Sequence, residues 1–441
     1  MNFNEKLQYL TNAVDGIHVV RAYGKVVQVV GLLIESIGPS AAIGDVCRVY
    51  PRNMAHPYLT EVVGFKDDRV LTMPLGEMTG IAPGSDVEAT GEQFQVQVST
   101  EMLGRIVDGL GNPIDGLGGF SQVLFYPAFR EPPHPLERTR ITEPISTGIR
   151  AIDGLLTLGK GQRVGIFAGS GVGKSTLMGM IARNTTADVN VIALVGERGR
   201  EVRDFIEKEL GDTGRSRSVV VVATSDKPAL VRVKAALVAT SIAEFFRDQG
   251  MDVMLMMDSL TRVAMALREI GLTVGEPPTT RGYTPSVFAF LPKLLERAGT
   301  AARGSITGLY TVLVEGDDMN EPIADAARAI LDGHIVLSRR LAAMGHYPAI
   351  EVLESVSRVL NDVTDPEHRA AIQQFLDTLA TYKEAEDLIN IGAYVKGSNP
   401  RVDYAIKKIQ ELQAYLRQGI DESSTLEESV AKLKALMAPS G

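Results

Sequence analysis

Ala168-Gly169-Ser170-Gly171-Val172-Gly173-Lys174-Ser175-Thr176 is the stretch on which the reading of this chain turns. A short apolar run, Arg163–Ala168, leads into it with strand character, and Leu177, Met178, Met180 and Ile181 follow in helical spacing. Strand, glycine loop and helix in that order make an anion site. The glycines leave backbone N–H groups uncovered, and the helix N-terminus adds its positive dipole end. Lys174 would reach β/γ phosphates, and the Ser175 hydroxyl suits Mg²⁺. Gly169, Ser170, Gly171, Val172, Gly173, Lys174, Ser175 and Thr176 are therefore the candidate phosphate-binding residues. The strict pattern opens with glycine where this chain has Ala168, which is tolerable if φ is negative there.

Two further elements bear on the same chemistry. The apolar run Val253–Met257 ends in Asp258, and a carboxylate at the tip of a buried strand beside the phosphate loop can hold Mg²⁺ through water. Alone, such an Asp also reads as a helix cap; the phosphate loop favours the metal reading. The strand Val189–Leu194 leads into Val195-Gly196-Glu197-Arg198-Gly199-Arg200-Glu201. Glu197 at that strand tip is placed to polarise a water attacking a γ-phosphate. For Arg198, Arg200 and Glu201, a site role and plain solvated charge stand level.

Working outward, strand-like runs at Arg163–Ala168, Val189–Val195, Ser218–Thr224, Val253–Asp258 and Ile306–Glu315 alternate with helical stretches beginning near Lys174, Arg200, Pro228 and Ser259. That alternation predicts an α/β domain with a mainly parallel sheet over residues 94–360. The prolines of Tyr126–Pro144 mark a loop or strap. Residues 17–93 carry β-branched runs at His18–Tyr23, Val26–Ile34, Asp45–Tyr50, Leu59–Phe65, Arg69–Met73 and Ser85–Thr90, punctuated by glycine, the signature of a small β-barrel. Ahead of them, residues 1–16 form a short amphipathic helix with Phe3, Leu7, Leu10 and Val14 on one stripe. Residues 361–441 make a helical domain, with stripes Ile372/Phe375/Leu376/Leu379, Val402/Ile406/Ile409/Leu412 and Leu426/Val430/Leu433/Leu436.

Composition excludes other classes. The 441 residues carry 45 Lys+Arg against 54 Asp+Glu, a net charge of −9, which argues against a dedicated nucleic-acid binder. One cysteine, Cys47, excludes an intramolecular disulfide and multi-cysteine metal sites, and it reads as a small core residue. The opening MNFNEKLQYLTNAVDG has no basic segment followed by an apolar run, and no stretch reaches the ~20 apolar residues of a membrane span. A cytoplasmic chain with at most peripheral membrane association is expected.

On FAGSGVGKSTLMGMIAR, NVIALVGERGREVRDFIEKEL, MDSLTRVAMALREIGLTVGEPPTTRGYTPSVFAFLPKLLERAG, GHYPAIEVL and INIGAYVKGS the chain resembles the protein-export ATPases of flagella and type III secretion systems, relatives of the rotary ATP synthase catalytic subunit. Its compact N-terminus and the tail LRQGIDESSTLEESV look most like the flagellar branch of Gram-positive bacteria. The resemblance implies a RecA-like P-loop ATPase core between a small N-terminal β-barrel and a C-terminal helical domain, hydrolysing ATP with Mg²⁺ held by Ser175 and Asp258. It assigns Glu197 as catalytic carboxylate beside Lys174, adds Arg262 of MDSLTR to the site, stacks Tyr347 on adenine, and makes Arg358 an arginine finger lent to the neighbouring subunit. From its residue type alone, an aromatic before proline is usually packing. One departure is Glu351, where the family usually has Asp. The resemblance further implies a homohexamer, a coiled-coil stalk in its channel, a regulatory homodimer on the N-terminal helix, export-gate membrane proteins, chaperone–substrate complexes and a place at the inner face of the membrane at the flagellar base. The alternatives are an injectisome ATPase and a synthase catalytic subunit. A ring subunit without catalysis would lack Glu197, and an RNA translocase would need basic and aromatic residues that the acidic balance does not support.

Overall fold

The computed structural model describes residues 22–52, 56–314, 316 and 318–438. The amphipathic stripe of residues 1–16 and most of the run His18–Tyr23 lie outside them. Contacts divide the chain into two units, the first ending at Gln95 and taking in Thr273–Gly275.

In the first unit, strands Tyr23–Val30, Leu33–Ile37, Asp45–Tyr50, Tyr58–Lys66, Arg69–Pro74 and Asp86–Gln93 close into a six-stranded antiparallel barrel, as expected. Alternating apolar residues fill it: Val26, Ile34, Cys47, Val49, Val62, Val70 and Val87. One expectation needs correction. The run Val26–Ile34 is two strands, because Gly31 takes a left-handed φ of 59° and turns the chain back, pairing Val30 with Leu33. A continuous apolar run hides such a turn when the turn residue beside the glycine is itself apolar, here Leu32. Cys47 is fully buried and free, and burial pushes its thiol up to about 11.

The second unit is built on a nine-stranded sheet. Its order is Val356–Ser357, Gly333–Leu337, Arg163–Ala168, Ser305–Leu313, Asp252–Asp258, Val189–Val195, Ser218–Ala223 and Ile106–Asp108, with Gly299–Thr300 folded back on Ser305–Leu313. Pairs along the body of the sheet are parallel, and Val356–Ser357 adds an antiparallel edge. The strands Val189–Val195 and Asp252–Asp258 are apolar nearly throughout because helices cover both faces. The edge strands Ile106–Asp108 and Val356–Ser357, and Gly333–Leu337 beside the latter, were not anticipated; two to five residues carry too little pattern to read alone.

Helices Pro366–Asn390, Pro400–Leu416 and Leu426–Met437 follow. Each begins with a side-chain cap, from Asp365, Asn399 and Thr425, the last in a full capping box with Glu428. Ile372, Phe375, Leu379, Leu412, Leu433 and Met437 share one core with Ile149, Ile152 and the P-loop helix. Ile406 stands at the surface instead of in its expected stripe, because Ala405 takes the buried position on that face.

Candidate active site

The strand Arg163–Ala168 is flanked by Ser305–Leu313 and Gly333–Leu337, and Ala168 still pairs in register with Leu313 and Leu337. It is therefore in extended backbone; among the described residues only Asp67 and Arg281 combine a side chain with positive φ. Alanine suffices at 168 for that reason. Gly171 and Gly173 then take left-handed φ of 75° and 88°, and the helix Lys174–Asn184 starts from Gly173 without a side-chain cap. The first-turn N–H groups of an uncapped helix are what an anion binds. Ser170, Gly171 and Ser175 are exposed at the loop's mouth, and Val172 is buried beneath it.

Lys174 turns back over the sheet edge. Its Nζ lies 2.5 Å from Asp258 Oδ1 and 3.7 Å from Glu197 Oε1. Both carboxylates come from neighbouring parallel strands, with Leu194 opposite Asp258 in register, so the topology delivers them to the same edge. Thr311, fully buried on the third strand, donates to Asp258 Oδ1 at 2.7 Å. Both hydrogen bonds fall on Oδ1, and Oδ2 carries none among the described residues. Burial first, and then the Asp258 carboxylate, push the Glu197 carboxyl up to about 7, with Lys174 pulling the other way. Oxygen donors from Asp258 and Ser175 are the donor set a hard divalent cation takes.

Gly196, with φ of 72°, lets the Arg262 stem pack on the loop before Glu197: a Cβ there would stand 2.9 Å from the arginine's Cβ. Among the described residues Arg262 Nε is buried with no hydrogen-bond partner, and its Nη1 reaches only Met265 Sδ at 3.8 Å. A guanidinium left this short of partners, its stem packed on the residue before Glu197, is suited to a phosphate oxygen. Arg198, at the N-cap of the exposed helix Gly199–Asp204, and Arg200 within it sit in local ion pairs, whereas Glu201, paired with Arg198, also shares a hydrogen bond with Glu197 and helps push that carboxyl up.

Tyr347 lies on the far side of the loop, its ring carbons 3.4 Å from where a Cβ on Gly173 would stand, and its carbonyl accepts from Gln418 N at 2.9 Å. It is 45% exposed, so its ring offers a face to a ligand. The Thr176 hydroxyl is engaged by Glu209 at 2.9 Å, leaving its backbone N–H for phosphate. Glu351 pairs with Lys383 of the C-terminal helices at 2.6 Å, a reach its extra methylene supplies over Asp. Arg358 is not brought to this cluster. It follows the antiparallel edge strand Val356–Ser357, its N–H donating to Asp332 O and its Nη2 to Arg328 O at 3.2 Å. Thr311 was missed by sequence reasoning, although a polar residue inside the apolar run Ile306–Leu313 was its signal.

A glycine loop whose lysine bridges two carboxylates at the carboxyl edge of a parallel sheet defines a P-loop nucleoside triphosphatase domain. Residues 148–357 match the nucleotide-binding domain of the ATP synthase alpha/beta family, residues 26–91 its beta-barrel domain, and residues 364–435 the T3SS EscN ATPase C-terminal domain. The chain is 57% identical to the flagellum-specific ATP synthase of Bacillus subtilis over 98% of its own length and 99% of that protein's. It superposes on the assembled ATPase EscN of the enteropathogenic E. coli type III secretion system with a TM-score of 0.89 at 46% identity, covering 94% of this chain and 100% of that one. It also superposes on EscN in complex with its central stalk EscO with a TM-score of 0.87, at the same identity and coverage. This chain belongs to the flagellar and type III secretion branch of the ATP synthase alpha/beta family, and it is an ATPase. Among the described residues no helix is long and apolar enough to cross a membrane.

Proposed function

We propose that the chain hydrolyses Mg-ATP as a ring of six copies and thereby energises export of flagellar protein substrates. The observation that carries this is Lys174 held 2.5 Å from Asp258 and 3.7 Å from Glu197 at the mouth of the glycine loop. Lys174 binds the β/γ phosphates. Glu197, whose carboxyl sits near neutrality, orients the attacking water and accepts its proton. Arg262 takes charge developing on the γ-phosphate, and the exposed ring of Tyr347 stacks on adenine. Ser175 and Asp258 would hold Mg²⁺, which would supply charge neutralisation at the β- and γ-phosphates. Thr311 keeps the Asp258 carboxylate aimed.

Arg358 acts in trans. It sits beside Asp332, whose N–H donates to Arg163 O at the start of the P-loop strand, whereas the phosphate loop begins after Ala168 at the other end. Five residue steps at ~3.3 Å each set the two about 16 Å apart, beyond an arginine's reach. An exposed cation at that distance fits a finger presented to a neighbouring copy.

The flagellar branch is preferred because identity to the Bacillus subtilis flagellar relative, 57%, exceeds the 50% to the type 3 secretion system ATPase of Xanthomonas euvesicatoria. That EscN assembles and binds a central stalk supports self-assembly of this chain around a stalk, which we take to be a coiled coil. Binding of a regulatory homodimer at residues 1–16, docking to export-gate membrane proteins and chaperone–substrate complexes, and a cytoplasmic place at the inner face of the membrane complete the proposal. So does the division into residues 1–16, 17–93, 94–360 and 361–441. The deciding experiment is phosphate release by purified protein with and without Lys174→Ala. Turnover that survives the substitution would place the chemistry elsewhere.

A further inference from the structure

The loop glycines are glycine for different reasons. Gly171 and Gly173 need their left-handed backbone, which most side chains disfavour. Gly169 has no such φ. What stands in the way of a side chain there is Arg339: the point where a Cβ would sit lies 2.4 Å from its Nε, 2.6 Å from its Nη2 and 2.9 Å from its Cζ. The guanidinium rests directly on the backbone of Gly169.

The topology fixes this contact. Strand Gly333–Leu337 runs parallel beside the P-loop strand with Leu337 opposite Ala168. Ser338 follows, its N–H donating to Ala349 O at 2.8 Å and its Oγ accepting from Leu341 N at 3.3 Å, so that it caps the helix Arg339–Ala343. Arg339 thus leaves the sheet at the level where Gly169 opens the loop. The next residue, Arg340, pairs with Glu386 of the C-terminal helices at 2.8 Å, so the two adjacent arginines serve different neighbours.

We propose that Arg339 is a positioning residue for the phosphate loop, its guanidinium bracing the peptide at Gly169, and that residue 169 is glycine to admit it. This rests on the reading of residues 169–176 as the ATP phosphate loop. A guanidinium is planar and weakly hydrated, so it packs on a peptide where an ammonium, compact and strongly hydrated, does not. The brace holds the first half of the loop in the curve that points its N–H groups at phosphate, and that backbone serves the bound ATP and the transition state alike.

The test is steady-state ATP hydrolysis by full-length Arg339→Ala, Arg339→Lys, Gly169→Ala and the double variant Gly169→Ala/Arg339→Ala, beside wild type, with nucleotide-free thermal unfolding on each. Loss of uniform binding raises KM for ATP by about tenfold and leaves kcat within about threefold for Arg339→Ala, with Arg339→Lys no better. Gly169→Ala evicts the guanidinium from the other side, so it reaches the same defect even if an Arg339 variant folds poorly. The double variant is then no worse than Gly169→Ala alone. A wild-type KM in Arg339→Ala, restoration by Arg339→Lys, or effects that multiply in the double variant would each overturn the brace. Absence of turnover in wild type would overturn the ATP reading itself.

Discussion

The two ends of the central sheet present opposite chemistry. At the carboxyl ends of its parallel strands Lys174, Glu197 and Asp258 meet within 3.7 Å, with side chains 5–14% exposed. At the other end Arg358 stands in solvent, with its Nη2 donating to one backbone carbonyl at 3.2 Å. Parallel topology explains the first end. Every strand delivers its next residue to one edge, so three separate segments converge without long-range fitting. The second end has no such convergence, because Val356–Ser357 runs antiparallel and turns its successor away from the chain's own phosphates. A site assembled at one end and a solvent-exposed arginine at the other fit the proposed action of Arg358 on a neighbouring copy.

That contrast can be broken most severely at the finished end. Lys174→Ala is expected to reduce phosphate release to background, because the γ-phosphate charge is left uncompensated in a largely buried site. Nucleotide-free unfolding should stay close to wild type; the Asp258 carboxylate keeps its bond from Thr311. The other end comes next. Arg358→Ala should bind ATP and lose roughly 10³–10⁵ in rate, the range of arginine fingers. Mixed with Lys174→Ala it should regain activity, because an intact loop in one copy can meet an intact finger from the next. Co-assembled mixtures that stay as inactive as their parts would remove the case for action in trans.

Glu197→Gln should cost about 10²–10⁴ in kcat while ATP affinity, measured by calorimetry, holds. A variant that cannot bind ATP would make Glu197 structural. The smallest effect sharpens the comparison from within the core. Thr311→Val removes one neutral donor to a carboxylate and keeps the volume, and should lower unfolding free energy by roughly 1.5–3 kcal/mol in denaturant titration. No change there would mean Lys174 alone orients Asp258.

Much of this was legible in the residues. Local pattern sufficed for the barrel strands, the alternating strands and helices and the glycine loop, since each is specified by neighbours within a dozen residues. It failed where a turn lay inside an apolar run, at Gly31–Leu32, and where strands were too short to show a period, at Ile106–Asp108 and Val356–Ser357. Glu197 and Asp258 were named from sequence because each lies at or just past the tip of an apolar strand, and Lys174 because it closes the glycine loop where the helix begins.

What the sequence by itself determined is thus the set of parts: which segments pair, which bury and which end in a charged residue, all consequences of short-range periodicity and turn chemistry. Only the tertiary structure decided how distant parts meet. Thr311 became the second partner of Asp258 because the strands stack in register, and Ile406 lost its buried place to Ala405 because helix packing sets the rotation. Arg339 came to rest on Gly169 although 170 residues separate them in the chain, because their strands are neighbours in the sheet. Contacts of that kind depend on register and crossover, which carry no local signature, and they decide which arginine lies against the phosphate loop and which faces away.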